Sequence, residues 1–257
     1  MRDLIKTELF KLKKSRTFKI LIIINLSVII TFILGVGIGY YDVEPHSLVG
    51  YKMYKSSVQY ILHHGLVGYI LASGFICSEY SQNTIGSGLV SGHSRTKLLL
   101  AKMIVFVCGV VILFLIYLAA STFITSFYTG GFVEKMTLQI WEYIVVLLSY
   151  SVIGYAVYGV LMACVAIVIK GKIKTIVIGM GMEYAMTQTD IITKDNPLPF
   201  IKYTFAYQLR HLRYKDWVGP GYWGGSFEPG VYIGVMVVTF IISMVVAVYA
   251  FNRAEMK

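Results

Sequence analysis

Residues 98–127 read LLLAKMIVFVCGVVILFLIYLAASTFITSF, and a single charge, Lys102, interrupts them. A bilayer core is crossed by roughly 20 apolar residues in a helix rising about 1.5 Å each. Hydrocarbon offers the backbone no hydrogen-bond partner, so such a run enters it as a helix, which bonds its own N–H and C=O groups. Five more apolar runs surround this one: Phe18 to Tyr40, Tyr60 to Ser78, Ile140 to Ile169, Ile173 to Ile191 and Val231 to Phe251. The runs from Leu98 and Ile140 exceed one bilayer thickness and are expected to tilt or project. The expected fold is an all-α integral membrane protein of six transmembrane helices, a single domain over residues 1–257.

Composition agrees, because 57% of the 257 residues are hydrophobic, 14% are charged and the mean hydropathy is +0.70. A soluble domain carries about a quarter charged residues. The net charge of +10 falls between the apolar runs. With the N-terminus inside the cell, the inner segments hold 15 of the 23 Lys and Arg against four acids, while the outer segments hold eight bases and eight acids. Retention of Lys and Arg in the cytoplasm then places both termini there, and no nucleic-acid partner is needed to account for the charge. Cys77, Cys108 and Cys164 sit in or beside apolar runs without CxxC spacing, so neither a disulfide framework nor a metal site is expected. The basic N-terminus precedes a run of about twenty residues with no A-x-A cleavage site, which reads as a retained span.

Two segments outside the spans are amphipathic. Over residues 1–19, Leu4, Ile5, Leu9, Phe10 and Leu12 alternate with Lys6, Lys11, Lys13, Lys14, Arg16 and Lys19, the pattern of an interfacial helix on the anionic inner leaflet, with membrane lipid as its partner. The segment 189–230 is long for a loop. Within it Phe200, Ile201, Phe205, Leu209 and Leu212 recur at helical spacing, expected as an extracellular helix at the outer interface, and Trp217, Tyr222 and Trp223 form an aromatic anchor before the last span.

Between the second and third runs the chain reads EYSQNTIGSGLVSGHSRTKLLLAK over residues 79–102. This stretch resembles the cytoplasmic coupling segment of type-2 ATP-binding-cassette exporter permeases. There an acid closes the second span, a Gly-Thr-Ile/Leu run opens a short helix, and Gly- or Pro-x-Ser-Arg leads to a lysine in the next span. Glu79, Thr84, Ile85, Leu89, Gly92, Ser94, Arg95 and Lys102 match position by position. Asn83 departs, standing where glycine is usual, and asparagine also tolerates a left-handed backbone. The likeness extends to the basic N-terminus, the six-run layout and the charged tail. It implies a permease subunit of the bacterial cytoplasmic membrane, of the small kind found in bacteriocin or lantibiotic immunity or in peptide export. It also implies a separate ABC ATPase that binds ATP and Mg, and a second permease copy in a homodimer or a related heterodimer.

The chemistry of the segment 79–97 suits that role apart from the likeness. A motor must grip a short rigid element anchored to two spans, and Thr84 could cap a helix near Thr84 to Val90. Arg95 is suited to bidentate bonds with a carboxylate, either Glu79 or one on the motor. The chain contains no G-x-x-x-x-G-K-[ST] phosphate loop, so no cofactor is expected on it and ATP is expected to be hydrolysed elsewhere. Gly35 and Gly39 form a small-xxx-small pair that would let two helices approach in a dimer.

Glu183 lies inside the fifth run, where a carboxylate must be protonated, paired or wetted. It reads either as lining the substrate pathway or binding a cationic substrate, or as a protonated structural residue; Gly179 and Gly181 beside it would admit a neighbouring helix or loosen the turn. His63 and His64 are adjacent, face no common site, and read as interfacial polar residues. No hydrolase or metalloenzyme motif is present, and enzymatic chemistry is not expected. The leading reading is an exporter permease acting on a hydrophobic or amphipathic peptide or antimicrobial. A secondary transporter or channel working through Glu183, and a non-transporting membrane sensor or scaffold, are the rivals.

Overall fold

Apolar runs with no helix-breaking proline leave the backbone one economical solution, and the computed structural model adopts it. It describes residues 1–37, 54, 57–58, 61–81, 94–128, 138–192, 203–210, 212 and 228–253, and among these there is no strand. The helices are α1 (Arg2–Lys14), α2 (Arg16–Gly37), α3 (Ile61–Ala72), α4 (Ser78–Ser81), α5 (Arg95–Tyr128), α6 (Leu138–Ile169), α7 (Lys172–Ile192), α8 (Phe205–Arg210) and α9 (Pro229–Asn252); a π turn over Ser73–Cys77 joins α3 to α4. Each of the six apolar runs is helical over its described residues. Three helical stretches among the described residues are long and apolar enough to cross a membrane: Arg95–Phe127, Ile140–Ile169 and Pro229–Asn252. At 34 residues α5 is about 51 Å long, well beyond a hydrocarbon core of about 30 Å.

α6 is the centre of the bundle, packed against α9 on one side and α5 on the other. Two buried tyrosines at this centre, Tyr155 of α6 and Tyr232 of α9, place their hydroxyls on backbone carbonyls, as burial of a phenol favours. Tyr155 Oη donates to the Val58 carbonyl at 2.8 Å, and on α9 Tyr232 Oη donates to the Tyr150 carbonyl at 2.7 Å. Tyr155 also stacks on Phe114 of α5 with ring centroids 4.1 Å apart. α6 and α7 are joined by Lys170 and Gly171 alone. Lys170 takes the left-handed conformation (φ 59°) that ends a helix, and its N–H bonds the Ala166 carbonyl at 2.9 Å, so α7 turns straight back along α6.

The α3–α7 seam is built by exchanging bulk for space. The Tyr69 ring of α3 fills the place a Cβ would take on Gly179 of α7, and the Glu183 carboxyl of α7 fills the place a Cβ would take on Gly65 of α3. Gly181 meets nothing within 4 Å. The expectation that this glycine-bearing stretch admits a neighbouring helix therefore holds at Gly179 and not at Gly181. Farther along, the π turn is pinned to both α6 and α7: Cys77 Sγ donates to the Ala166 carbonyl at 3.6 Å and lies 3.3 Å from Thr175 Oγ1, which can donate to it.

Two amphipathic segments pack inward. α1 lies along α5 with Leu12 buried and Leu4 and Ile5 against the core, while Leu9 and Phe10 remain exposed. α8 packs on α7, α9 and α3; Phe205 and Leu209, with Leu212 just beyond it, are buried, and Phe205 meets the Tyr158 ring at 5.2 Å. Phe200, Ile201, Trp217, Tyr222 and Trp223 lie outside the described residues. His64 differs from the interfacial reading. It is buried, with Nε2 3.1 Å from the Ser57 carbonyl and its ring edge-on to Phe114, Tyr117 and Tyr155, because those rings leave a slot that imidazole fills. Of the cysteines, Cys77 and Cys164 are buried, Cys108 is exposed, and all three are free thiols.

A Gly179→Leu substitution is expected to force the Tyr69 ring out of the seam and destabilise the protein by about 1–3 kcal/mol. Gly181→Ala, in open space on the same helix, should instead stabilise it by about 0.5–1 kcal/mol. Thermal unfolding of the two variants in detergent, side by side, measures the difference.

Candidate coupling site

The two stems of the segment between the second and third runs are described: α4 on one side, Ser94 and the start of α5 on the other. Thr84, Ile85, Leu89 and Gly92, and the short helix expected near Thr84, lie outside the described residues. Ser94 starts α5. Its Oγ accepts from the Lys97 N–H at 3.4 Å and its carbonyl from Leu98 at 3.1 Å, the bonds of an N-cap residue.

Glu79 on α4 and Lys102 on α5 form a direct pair, with Nζ 2.7 Å from Oε2. Two residues of α1 complete it. Lys102 also donates to Glu8 Oε2 at 2.7 Å, Lys11 donates to Glu8 Oε1 at 2.6 Å, and Lys11 donates to Glu79 Oε1 at 3.0 Å. The four charges alternate in a closed ring, each carboxylate held by both ammonium groups through separate oxygens. Lys102 and Glu8 are 3% and 1% exposed, and Lys102 additionally lies over the Phe75 ring of the π turn, 4.9 Å from its centroid. The outer edge of the ring is Lys11, whose side chain is 46% exposed.

The electrostatics of the ring are those of charges compensated by geometry. Burial by itself raises the Glu8 carboxyl, but attraction to Lys102 and hydrogen bonds from Lys102 and Lys11 outweigh it and hold the group below its ordinary 4.5. Burial lowers Lys11, yet its bonds to Glu8 and Glu79 leave it above 10.5. A carboxyl depressed in the folded state stabilises it above the ordinary carboxylate range, and that stabilisation is lost as pH falls through the depressed value. For the raised ammonium the contribution is complete below 10.5 and disappears as pH climbs through its folded-state value.

Arg95 is not part of the ring. Its guanidinium donates to the Asn252 carbonyl at 3.2 Å, tying the start of α5 to the end of α9, while the Glu79 carboxylate is occupied by the two lysines. Lys170 lies over the Tyr80 ring at 5.9 Å. The α6–α7 turn, α4, the start of α5 and the end of α9 thus meet at one end of the bundle, together with α1. Glu183 is remote from this end, buried in the α3–α7 seam. Gly35 is on α2, and Gly39 lies outside the described residues.

An N-terminal helix is thus clamped by charge to both stems of the segment 82–93 that joins two apolar helices. The sequence model of the family described as "ABC-2 family transporter protein" matches residues 4–186. The chain belongs to the ABC-2 transporter family. The match takes in α1, both stems and the whole charge ring, and ends within α7. No individually curated protein matches the chain. As an ABC-2 permease it is a multi-pass membrane subunit of a transporter, and the family works with a separate ATPase.

Glu8 is a site residue that the sequence reading did not name, and Lys11, expected on the leaflet face, bonds Glu8 and Glu79 instead. The signal was there in Glu8, which sits between Leu4 and Leu12 at four-residue spacing, an acid in the middle of an apolar stripe.

Lys102→Met is expected to leave the buried Glu8 and the neighbouring Glu79 sharing the half-exposed Lys11, and to destabilise the protein by about 3–5 kcal/mol. Lys11→Met, at the solvent edge, should cost about 1 kcal/mol or less. In wild type α1 should loosen as pH drops below about 4, the range of an ordinary carboxylate. Glu8→Gln should remove most of that acid dependence. Protease protection of the first fifteen residues as a function of pH reads wild type and the three variants.

Proposed function

We propose that the chain is the permease of an ATP-driven exporter, working in the bacterial cytoplasmic membrane with six spans and both termini in the cytoplasm. Two permeases, identical or related, would join two ATPase subunits, which would bind the ATP and Mg. The charge ring carries the reading. It fixes α4 and α5, the two stems of residues 82–93, to one another and to α1, so a force applied to that segment is delivered to α3, α5 and α1 together rather than dissipated in a loose loop. Thr84, Ile85, Leu89 and Gly92 are the grip, Ser94 starts the helix that receives the pull, and Arg95 passes it to the end of α9.

The six helical runs support the span number. Lys170, Arg95, Lys102 and the α1 lysines gather at one end of the bundle, and that concentration of basic groups supports a cytoplasmic assignment for it. The cargo is a hydrophobic or amphipathic peptide or antimicrobial, entering from the membrane rather than from water. Peptide export and self-protection against a bacteriocin are both settings for such a permease.

The experiment is co-expression with a stand-alone ABC ATPase, sought first among the genes neighbouring this one. Wild type should co-purify with it and stimulate hydrolysis in nanodiscs, whereas Thr84→Pro and Arg95→Glu should assemble in the membrane yet leave hydrolysis at the rate of the ATPase alone. Transport driven by a proton gradient with no ATPase present would defeat the reading.

A further inference from the structure

Glu183 is 5% exposed, both of its carboxyl oxygens are enclosed, and among the described residues neither has a hydrogen-bond partner. The carboxyl lies against Gly65 of α3, in space that any Cβ there would occupy; one turn away Gly179 receives the Tyr69 ring, so the seam is closed from both helices. Among the described residues the groups that face it are neutral. Tyr69 approaches from α3, and Tyr155 and Tyr158 from α6. The Tyr158 hydroxyl is near the carboxyl but forms no hydrogen bond of ordinary length with it, and is itself unsatisfied. His64, beside Gly65, turns its ring toward Phe114, Tyr117 and Tyr155 and bonds the Ser57 carbonyl. From the π turn Cys77 is engaged with Thr175, two turns along α7, and from α8 Phe205 covers the Tyr158 ring.

Among the described residues a carboxylate in such a place finds neither cation nor N–H donor to replace water, and burying it bare is strongly unfavourable. A metal ion is a poor substitute, because hard cations take six or more oxygens and one carboxyl among phenols does not supply them. A neutral carboxylic acid needs far less: one O–H, one carbonyl, and the Tyr158 hydroxyl within a small rotation.

We propose that Glu183 is a proton-binding site built into the α3–α7 seam, carried as the neutral acid while the two helices are packed and ionised only when they part and water enters. Binding the proton and closing the seam are then the same equilibrium seen from two sides, so a rising proton concentration favours the closed form and deprotonation favours the open one. α3 runs through the π turn into α4 and Glu79, so the seam is connected to the charge ring by one short stretch of chain. The inference holds whatever drives transport.

The test uses the full chain in lipid nanodiscs and infrared spectroscopy. At neutral pH, where exposed acids are ionised, wild type should show a protonated-carboxyl C=O band that Glu183→Gln and Glu183→Met lack. Raising the pH until the band disappears should increase hydrogen–deuterium exchange in α3 and α7 severalfold over that of the Gln variant at the same pH, which removes the intrinsic pH dependence of exchange. A folded wild type with no Glu183-dependent band at neutral pH would overturn the proposal. So would a band that is lost on adding sodium or potassium at constant pH, or one that vanishes while exchange in α3 and α7 is unchanged. Both variants are neutral and close in size to the acid; failure of both to fold would mean that the charge itself is required, and would equally reject it.

Discussion

Two charges that could not be buried singly, Glu8 and Lys102, are buried together, and the partly buried Glu79 and half-exposed Lys11 close a ring with them. Glu8, Lys11, Glu79 and Lys102 alternate in sign around a ring with every nitrogen–oxygen separation between 2.6 and 3.0 Å, so each ammonium is shared by two carboxylates and each carboxylate by two ammoniums. A buried ion pair adds little net stability over a well-packed apolar pair, but it is unforgiving of error, since a missing partner leaves a bare charge. That asymmetry is what positions α1. A basic amphipathic helix could slide along a bilayer surface in many registers; only the one that brings Glu8 to Lys102 neutralises both.

The consequences spread from there. Lys102 stands near the start of α5 and lies over Phe75, and Phe75 belongs to the π turn between α3 and α4. A π turn holds one more residue than an α turn and re-aims the helix beyond it. Here it carries α4 so that Glu79 meets the lysines. Cys77 and Thr175 hold the same turn against α7. The end of the bundle that gathers the basic residues is therefore a connected unit of side-chain bonds, and the segment 82–93 is mounted on it by both stems.

Away from that end, packing depends on shape, because lipid tails compete with protein for apolar contact and burying apolar surface gives helices little reason to associate. Gly65, Gly68, Gly154 and Gly179 supply the recesses, and Glu183, Met162, Tyr232 with Leu209, and Tyr69 fill them. By contrast α9 shows lipid-sized side chains outward, among them Ile233, Val237, Phe240, Ile241 and Val245, while its buried positions recur as Tyr232, Met236, Ser243, Ala247 and Phe251.

The helical runs, their approximate ends and the family resemblance were all legible in the sequence, because apolar length and the placement of lysines respond to the bilayer, and the bilayer is the same for every chain. Ser94, Glu79 and Lys102 were legible as a motif. That Lys102 closes a ring with Glu8 and Lys11 was not, since the partners are 94 and 91 residues away and neither is marked except by an acid in an apolar stripe. Nor could sequence say that Arg95 turns to Asn252 or that His64 is buried among three rings, or that Glu183 rests on Gly65. Periodicity reports which face of a helix is apolar. Which other helix that face meets, and in what register, is decided by the fit of bulk to recess and of charge to charge, and those exist only once the chain has folded.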